Sequence, residues 1–167
     1  MKKLFLIMLV ALISMGASAQ DKKYGLGLNL LYGTKIKTMG IGVKGQLYAT
    51  DVVRVEANAA YFLKNNEFSW NDEKQDWEGM KMWDVNVVGH YLVDVSQQKA
   101  WIYPLAGIGL SNWVSGIFSA KTRFTINVGA GFQYDVADDF AINAEAKYQI
   151  NDGYNQAILG IGAVYKF

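Results

Sequence analysis

Residues 53–63 read VRVEANAAYFL. In an extended chain successive side chains point to opposite faces, so Val53, Val55, Ala57, Ala59, Tyr61 and Leu63 share one face and Arg54, Glu56, Asn58, Ala60 and Phe62 the other. Side chains are sorted by polarity at period two. Residues 140–150, FAINAEAKYQI, repeat the sorting: Phe140, Ile142, Ala144, Ala146, Tyr148 and Ile150 oppose Ala141, Asn143, Glu145, Lys147 and Gln149. Residues 122–134 do so again, with Phe124, Ile126, Val128, Ala130, Phe132 and Tyr134 set against Arg123, Thr125, Asn127, Gly129, Gly131 and Gln133.

Outward from these three stretches, the same alternation predicts eight strands, at 23–33, 38–49, 53–63, 80–93, 100–111, 122–134, 140–150 and 156–167. Lys44, Gln46, Asp84, Asn86 and His90 are confined to one parity of the second and fourth. The fifth breaks the pattern, because Trp101, Tyr103 and Leu105 share a parity with Gly107 and Gly109, and Pro104 predicts a bulge there. The connections at 50–51, 94–99 and 135–139 are short, and those at 64–79 and 112–121 are long. Short turns at one end and longer loops at the other describe a chain that runs up and down through a layer.

Alternation does not say which face is inside, so a soluble barrel with an apolar interior competes with a membrane barrel with an apolar exterior. Volume decides between them. Eight strands enclose an interior just wide enough for side chains to fill, and the apolar faces would overfill it. The polar face carries the small residues: Gly25, Gly27, Gly40, Gly42, Gly129, Gly131, Gly160 and Gly162 make room for charged side chains reaching across. Charge agrees, since an arginine or lysine facing lipid at the midplane costs about 2–4 kcal/mol. The expected fold is therefore all-β, an eight-stranded antiparallel up-and-down transmembrane barrel. Its lumen would hold a polar network of Lys44, Arg54, Glu56, Asp84, His90, Arg123, Glu145 and Lys147, since buried charges persist when paired and hydrogen-bonded.

Composition bounds the rest. Lys2 and Lys3 precede an apolar run from Leu4 to Ile13, and Ala17-Ser18-Ala19 is a small-residue cleavage site. Residues 1–19 thus read as a signal peptide cleaved before Gln20, and removing 19 of 167 residues leaves 148, one barrel domain over 20–167. Without those two lysines, 14 basic side chains face 15 acidic ones, so no nucleic-acid partner is expected. Cysteine is absent, which excludes a disulfide framework and a thiolate metal site.

Aromatic residues gather where the apolar bands end. Tyr32, Tyr61, Trp83, Phe124 and Tyr148 fall toward the long loops, and Tyr24, Tyr91, Tyr134, Phe140, Tyr165 and Phe167 toward the short turns. Two such girdles suit the two interfaces of a bilayer. The chain ends ILGIGAVYKF, residues 158–167, an alternating strand closed by an aromatic residue. With its Tyr165-Lys166-Phe167 ending and G-x-G pairs in five strands, the sequence resembles the small bacterial outer-membrane β-barrels of the OmpA transmembrane-domain and OmpX type. The resemblance covers residues 21–167. It implies the bacterial outer membrane as location, outer-membrane lipids as neighbours, and Tyr165 and Phe167 as the signal read by the outer-membrane assembly machinery. A counterpart of the peptidoglycan-binding domain of OmpA is not expected, so its tethering role is not carried over.

Motifs for chemistry are few. GIGVKG at 40–45 fits G-x-G-x-x-G, but Gln46, Leu47 and Tyr48 continue a strand where nucleotide binding needs a helix. His90 is the sole histidine, and six residues of strand, about 20 Å, separate it from Asp84. It sits toward the short turns and lacks the His-x-Ser-Asn pattern of lipid A deacylases, so no catalytic, cofactor or metal residue is expected. The loop 64–79 carries Phe68, Trp70 and Trp77 among acidic residues, either as contacts for an unidentified extracellular partner or as cross-strand pairs of an extended hairpin. A structural or surface-interaction role is the reading. A lipid-modifying enzyme and a narrow pore for small solutes are the alternatives.

Overall fold

The computed structural model describes residues 23–65, 80–114 and 121–167. All regular structure among them is β: β1 Tyr24–Gly33, β2 Thr38–Tyr48, β3 Val53–Asn65, β4 Met80–Tyr91, β5 Val93–Asp94, β6 Ala100–Val114, β7 Lys121–Ala137, β8 Phe140–Ile150 and β9 Gln156–Lys166. β5 continues β4, because His90 opposite Leu105 and Val93 opposite Ile102 keep one register against β6. The barrel therefore has eight staves, each antiparallel to its sequence neighbours, with β1 and β9 meeting at the seam. The signal-peptide segment 1–19 and the loop residues Phe68, Trp70 and Trp77 lie outside the described residues.

The structure corrects the expectation of a bulge at Pro104. That residue stays in register opposite Ala130, and the ladder to the neighbouring strand merely lapses between β4 and β5. Proline has no N–H to donate, so a bond is lost without a residue being added. The register shifts lie between Phe62 and Asn65 in β3 and between Asp135 and Ala137 in β7. β6 and β7 also run longer than the alternation suggests, so the turn expected over 135–139 shrinks to Asp138 and Asp139.

Burial is inverted relative to a soluble protein. Leu28 and Ile161 are 68% and 61% exposed on the outer face, whereas Arg54 and Glu56 are 0% exposed inside. Such a surface is stable only against hydrocarbon, and there an unpaired backbone group costs several kcal/mol, which forces the sheet to close. The seam meets that demand. Pairing runs from Gly25 opposite Lys166 to Gly33 opposite Ile158, and Tyr24 and Phe167 exchange N–H to carbonyl bonds of 3.0 and 2.9 Å. The Phe167 ring lies 6.3 Å from the rings of both Tyr24 and Tyr165, so the last residue is fastened on both sides.

Candidate functional site

Period-two alternation turns the even residues of β2, β3 and β4, and the odd ones of β1, β6, β7 and β8, into the lumen. The lumen is layered. Its centre is polar: Lys44 Nζ lies 3.7 Å from Glu56 Oε2 and 3.6 Å from Glu145 Oε1 and donates to Asn143 Oδ1 at 3.0 Å. Glu56 accepts from Gln46 Nε2 at 2.8 Å and Asn58 Nδ2 at 2.9 Å. Glu145 accepts from the Tyr103 hydroxyl at 2.8 Å. One lysine thus joins β2, β3 and β8 across the barrel.

Asp84 is held on the adjoining wall, by Asn86 Nδ2 at 3.0 Å and Gln149 Nε2 at 3.3 Å. Asn86 in turn accepts from Asn127 and donates to Asn58. Lys147 is buried within electrostatic reach of Asp84 and Glu145. Lys44, Arg54 and Lys147 therefore face Glu56, Asp84 and Glu145, three charges of each sign, which makes the buried layer neutral.

Arg54 is the exception to ion pairing. Its Nε donates to His90 Nδ1 at 2.9 Å and its Nη1 donates to Gln133 Oε1. The guanidinium carbon lies 4.7 Å and 5.7 Å from the ring centres of Tyr103 and Tyr48, where two negative ring faces offset part of its desolvation. Arg123 stands apart from the other seven residues of the expected network. It sits near the start of β7, above the polar layer, and donates to the Asp152 carbonyl at 2.9 Å with its guanidinium 4.1 Å from the Tyr154 ring.

Glu56, His90 and Glu145 each bring one ligand atom within 4.8 Å of the others, a spacing a metal ion would accept. The chemistry of the donors does not fit. A guanidinium only donates, so His90 Nδ1 must accept and the ring proton sits on Nε2, which removes that nitrogen as a ligand. The ammonium of Lys44 also occupies the position between the two carboxylates. The three residues belong to an internal ion-pair layer.

Two apolar clusters accompany this centre, and the sequence reading does not anticipate them. Toward the long connections, Leu31, Ile36, Phe62, Met82, Trp113 and Ile158 form one buried cluster, and Val88, Leu92, Tyr103 and Leu105 form another beside the polar groups, with Val88 opposite Glu56 and Leu105 opposite His90. Ile36 comes from the β1–β2 connection and is 0% exposed, so that connection folds back as a cork. Thr34 pins it, donating from N to the Ala157 carbonyl at 2.9 Å and accepting from Ala157 N at 3.1 Å. All except Ile36 share the parity of the lumen charges, which is the signal that could have placed them. Below the second cluster a cup of about 970 Å³ opens between the short turns, lined by Tyr48, Trp101, Gln133, Asp135 and Lys166.

The sequence profile described as "Outer membrane protein beta-barrel domain" matches residues 5–167. Among solved structures, the N-terminal β-barrel domain of Pseudomonas aeruginosa OprF is similar at 15% identity and a TM-score of 0.65, over 88% of this chain and 98% of that one. Neisserial surface protein A is similar at 14% identity and a TM-score of 0.67, over 86% and 96%. The attachment invasion locus protein Ail of Yersinia pestis is similar at 18% identity and a TM-score of 0.55, again over 86% and 96%. At these identities the likeness concerns the fold alone. No curated protein sequence matches the chain.

Proposed function

We propose, from the premise that this chain belongs to the family of outer-membrane protein β-barrel domains, that it is a sealed barrel of the bacterial outer membrane whose work lies at its surface. The observation that carries this reading is the layered lumen. Water or a solute passing through would have to cross the Ile36–Phe62–Trp113 layer, then the Lys44–Glu56–Glu145 ion pairs with the Leu92–Tyr103–Leu105 cluster packed beside them. By the disposition usual for such barrels, the end where β3, β4, β6 and β7 lead into the longer connections faces outward and the short turns face the periplasm. A structural or surface-interaction role follows, with Phe68, Trp70 and Trp77 proposed as contacts for a partner.

Against the pore reading, buried side chains fill the lumen at several levels among the described residues. The enzyme reading requires a base that meets outer-leaflet lipid, and His90 is 2% exposed with Nδ1 engaged by Arg54. Planar-bilayer recording with the purified protein is expected to show no unitary steps, while surface crosslinking on intact cells captures partners that a deletion within 64–79 loses. Steady single-channel steps, or capture unaffected by the deletion, would refute the proposal. Residues 1–19 are proposed as the export signal, so the intact mass of the membrane-extracted protein should correspond to a chain beginning at Gln20. Retention of Met1 in that mass would be the contrary result.

A further inference from the structure

At the short-turn end the barrel wall is uneven. Val53 pairs with Tyr91, and Leu92 N donates to the Val52 carbonyl at 2.7 Å. Beyond that point Val93 and Asp94 pair with β6 alone, so one side stands as a lip above the β2–β3 turn. Half-buried Trp101 lies on the inner side of the lip, opposite Gln133. The cup of about 970 Å³ opens between the lip and the facing turns, at the upper end of the range for small-molecule sites, about 300–1,000 Å³. It ends blind on Leu92 and Gln133, both buried.

Charges alternate around its mouth. Lys99 precedes β6 and Lys23 precedes β1, and these staves stand four apart in either direction around the closed ring. Asp51 in the β2–β3 turn and Asp138 in the β7–β8 turn face each other in the same way. Each lysine therefore has an aspartate at the next corner on either side. All four line the cup, yet none is ion-paired, since the pairs among the described residues are Lys44 with Glu56 and Glu145, and Lys166 with Asp135. Asp135 is already engaged, accepting from Lys166 Nζ at 2.7 Å and Gln133 Nε2 at 2.8 Å.

The Lys99 corner is held in a strained turn. Gln97 and Gln98 have φ of 46° and 65°, the left-handed region that glycine or asparagine ordinarily fills in a hairpin. The Asp94 carboxylate holds them, accepting from Ser96 N at 2.9 Å and Gln98 N at 2.7 Å, and Lys99 N closes the turn on the Ser96 carbonyl at 2.9 Å. Strain of this kind persists where surrounding bonds enforce it, and it concentrates at binding sites. Here it sets Gln98 and Lys99 in the cup wall.

We propose that the cup binds a short free peptide in its zwitterionic form, laid along the wall from Lys99 past Trp101 and Leu92 to Asp51. The carboxylate meets the Lys99 ammonium and the Gln98 amide, an apolar side chain covers Trp101 and Leu92, and the terminal ammonium meets Asp51. A single amino acid carries both charges on one carbon and serves one corner only, whereas each added residue parts them by about 3.3 Å. Calorimetric titration of the detergent-folded barrel with the tripeptide Ala-Phe-Ala, its N-acetylated form and its C-amidated form tests the site. The free peptide should bind, and each blocked form should bind about 10-fold more weakly. Lys99→Gln should weaken the free peptide by about the same factor while leaving the amidated form unchanged, and Asp51→Asn should do likewise while leaving the acetylated form unchanged. Trp101→Ala should weaken all three, and Lys121→Gln, at the other end, none. The folded band on unheated gels shows that each variant is a barrel, so a loss of binding is not a loss of fold. The blocked forms stand for the tail and the head of a longer chain. If either binds as tightly as the free peptide, the cup takes a protein segment and the proposal is overturned. Absence of binding by Ala-Phe-Ala, or wild-type binding by Lys99→Gln and Asp51→Asn, overturns it too. The site requires the closed fold alone, so its failure and failure of the outward orientation proposed above are separate results.

Discussion

Lys44→Met is expected to lower the unfolding free energy of the barrel by about 3–5 kcal/mol, the range for breaking a buried pair by removing one partner. Methionine keeps the length and apolar stem of lysine, so packing changes little. What changes is charge: Glu56 and Glu145, whose oxygens lie within 4.8 Å of each other, lose the ammonium 3.7 and 3.6 Å away. Two like charges at that separation repel by roughly 3.5 kcal/mol at an effective dielectric constant of 20, which agrees with the expected loss. The Lys44→Met, Glu145→Gln double variant should recover most of it, because the introduced amide oxygen still accepts from Tyr103 while the repulsion is gone. Urea unfolding in phosphatidylcholine vesicles, followed by tryptophan fluorescence, measures both. A single variant within about 1 kcal/mol of wild type, or a double variant no better than the single, would show that the layer is held by something other than its ions.

Much of the fold was legible because a membrane barrel writes its two faces at period two. The sorting in VRVEANAAYFL recurs in the structure residue by residue, from exposed Val55 and Tyr61 to buried Arg54 and Glu56. What the pattern hid were departures from period two. Pro104 suggests a bulge because proline is found at bulges, yet a missing N–H can equally be absorbed as a gap, as between β4 and β5. Of the two register shifts, the one at Leu63 and Lys64 follows no proline or glycine in its strand, so nothing local announces it. The apolar lumen layers were hidden differently. Phe62 and Met82 share a parity with Glu56 and Asp84, but parity reports the direction of a side chain and not its height. Height requires the register across several strands, which brings Phe62, Met82 and Trp113 level. Parity groups Arg123 with the central charges for that same reason, although it stands a layer above them.

Gly107→Val is expected to prevent the barrel from forming, whereas Gly89→Val should be tolerated. The two glycines are near neighbours on adjacent strands, with Gly107 opposite Val88 and Gly89 opposite Ala106. A Cβ on Gly107 would fall inside van der Waals contact of the Val87 carbonyl oxygen, the Val88 Cα and the Val88 side chain. Two of those atoms are backbone, so relief requires β4 and β6 to separate along their shared ladder, and in hydrocarbon every bond broken there leaves an unsatisfied group. Overpacking against side chains alone already costs about 1–3 kcal/mol, and here the backbone must yield as well. A Cβ on Gly89 meets only the Ala106 carbonyl oxygen, at 3.8 Å, and points toward lipid, where valine adds apolar surface and suits a strand. The folded band on unheated gels should be lost for Gly107→Val and kept for Gly89→Val after refolding into the same vesicles. A folded Gly107→Val barrel would mean that the lumen has room the close approach of β4 and β6 denies, and the case for a sealed interior would fall with it.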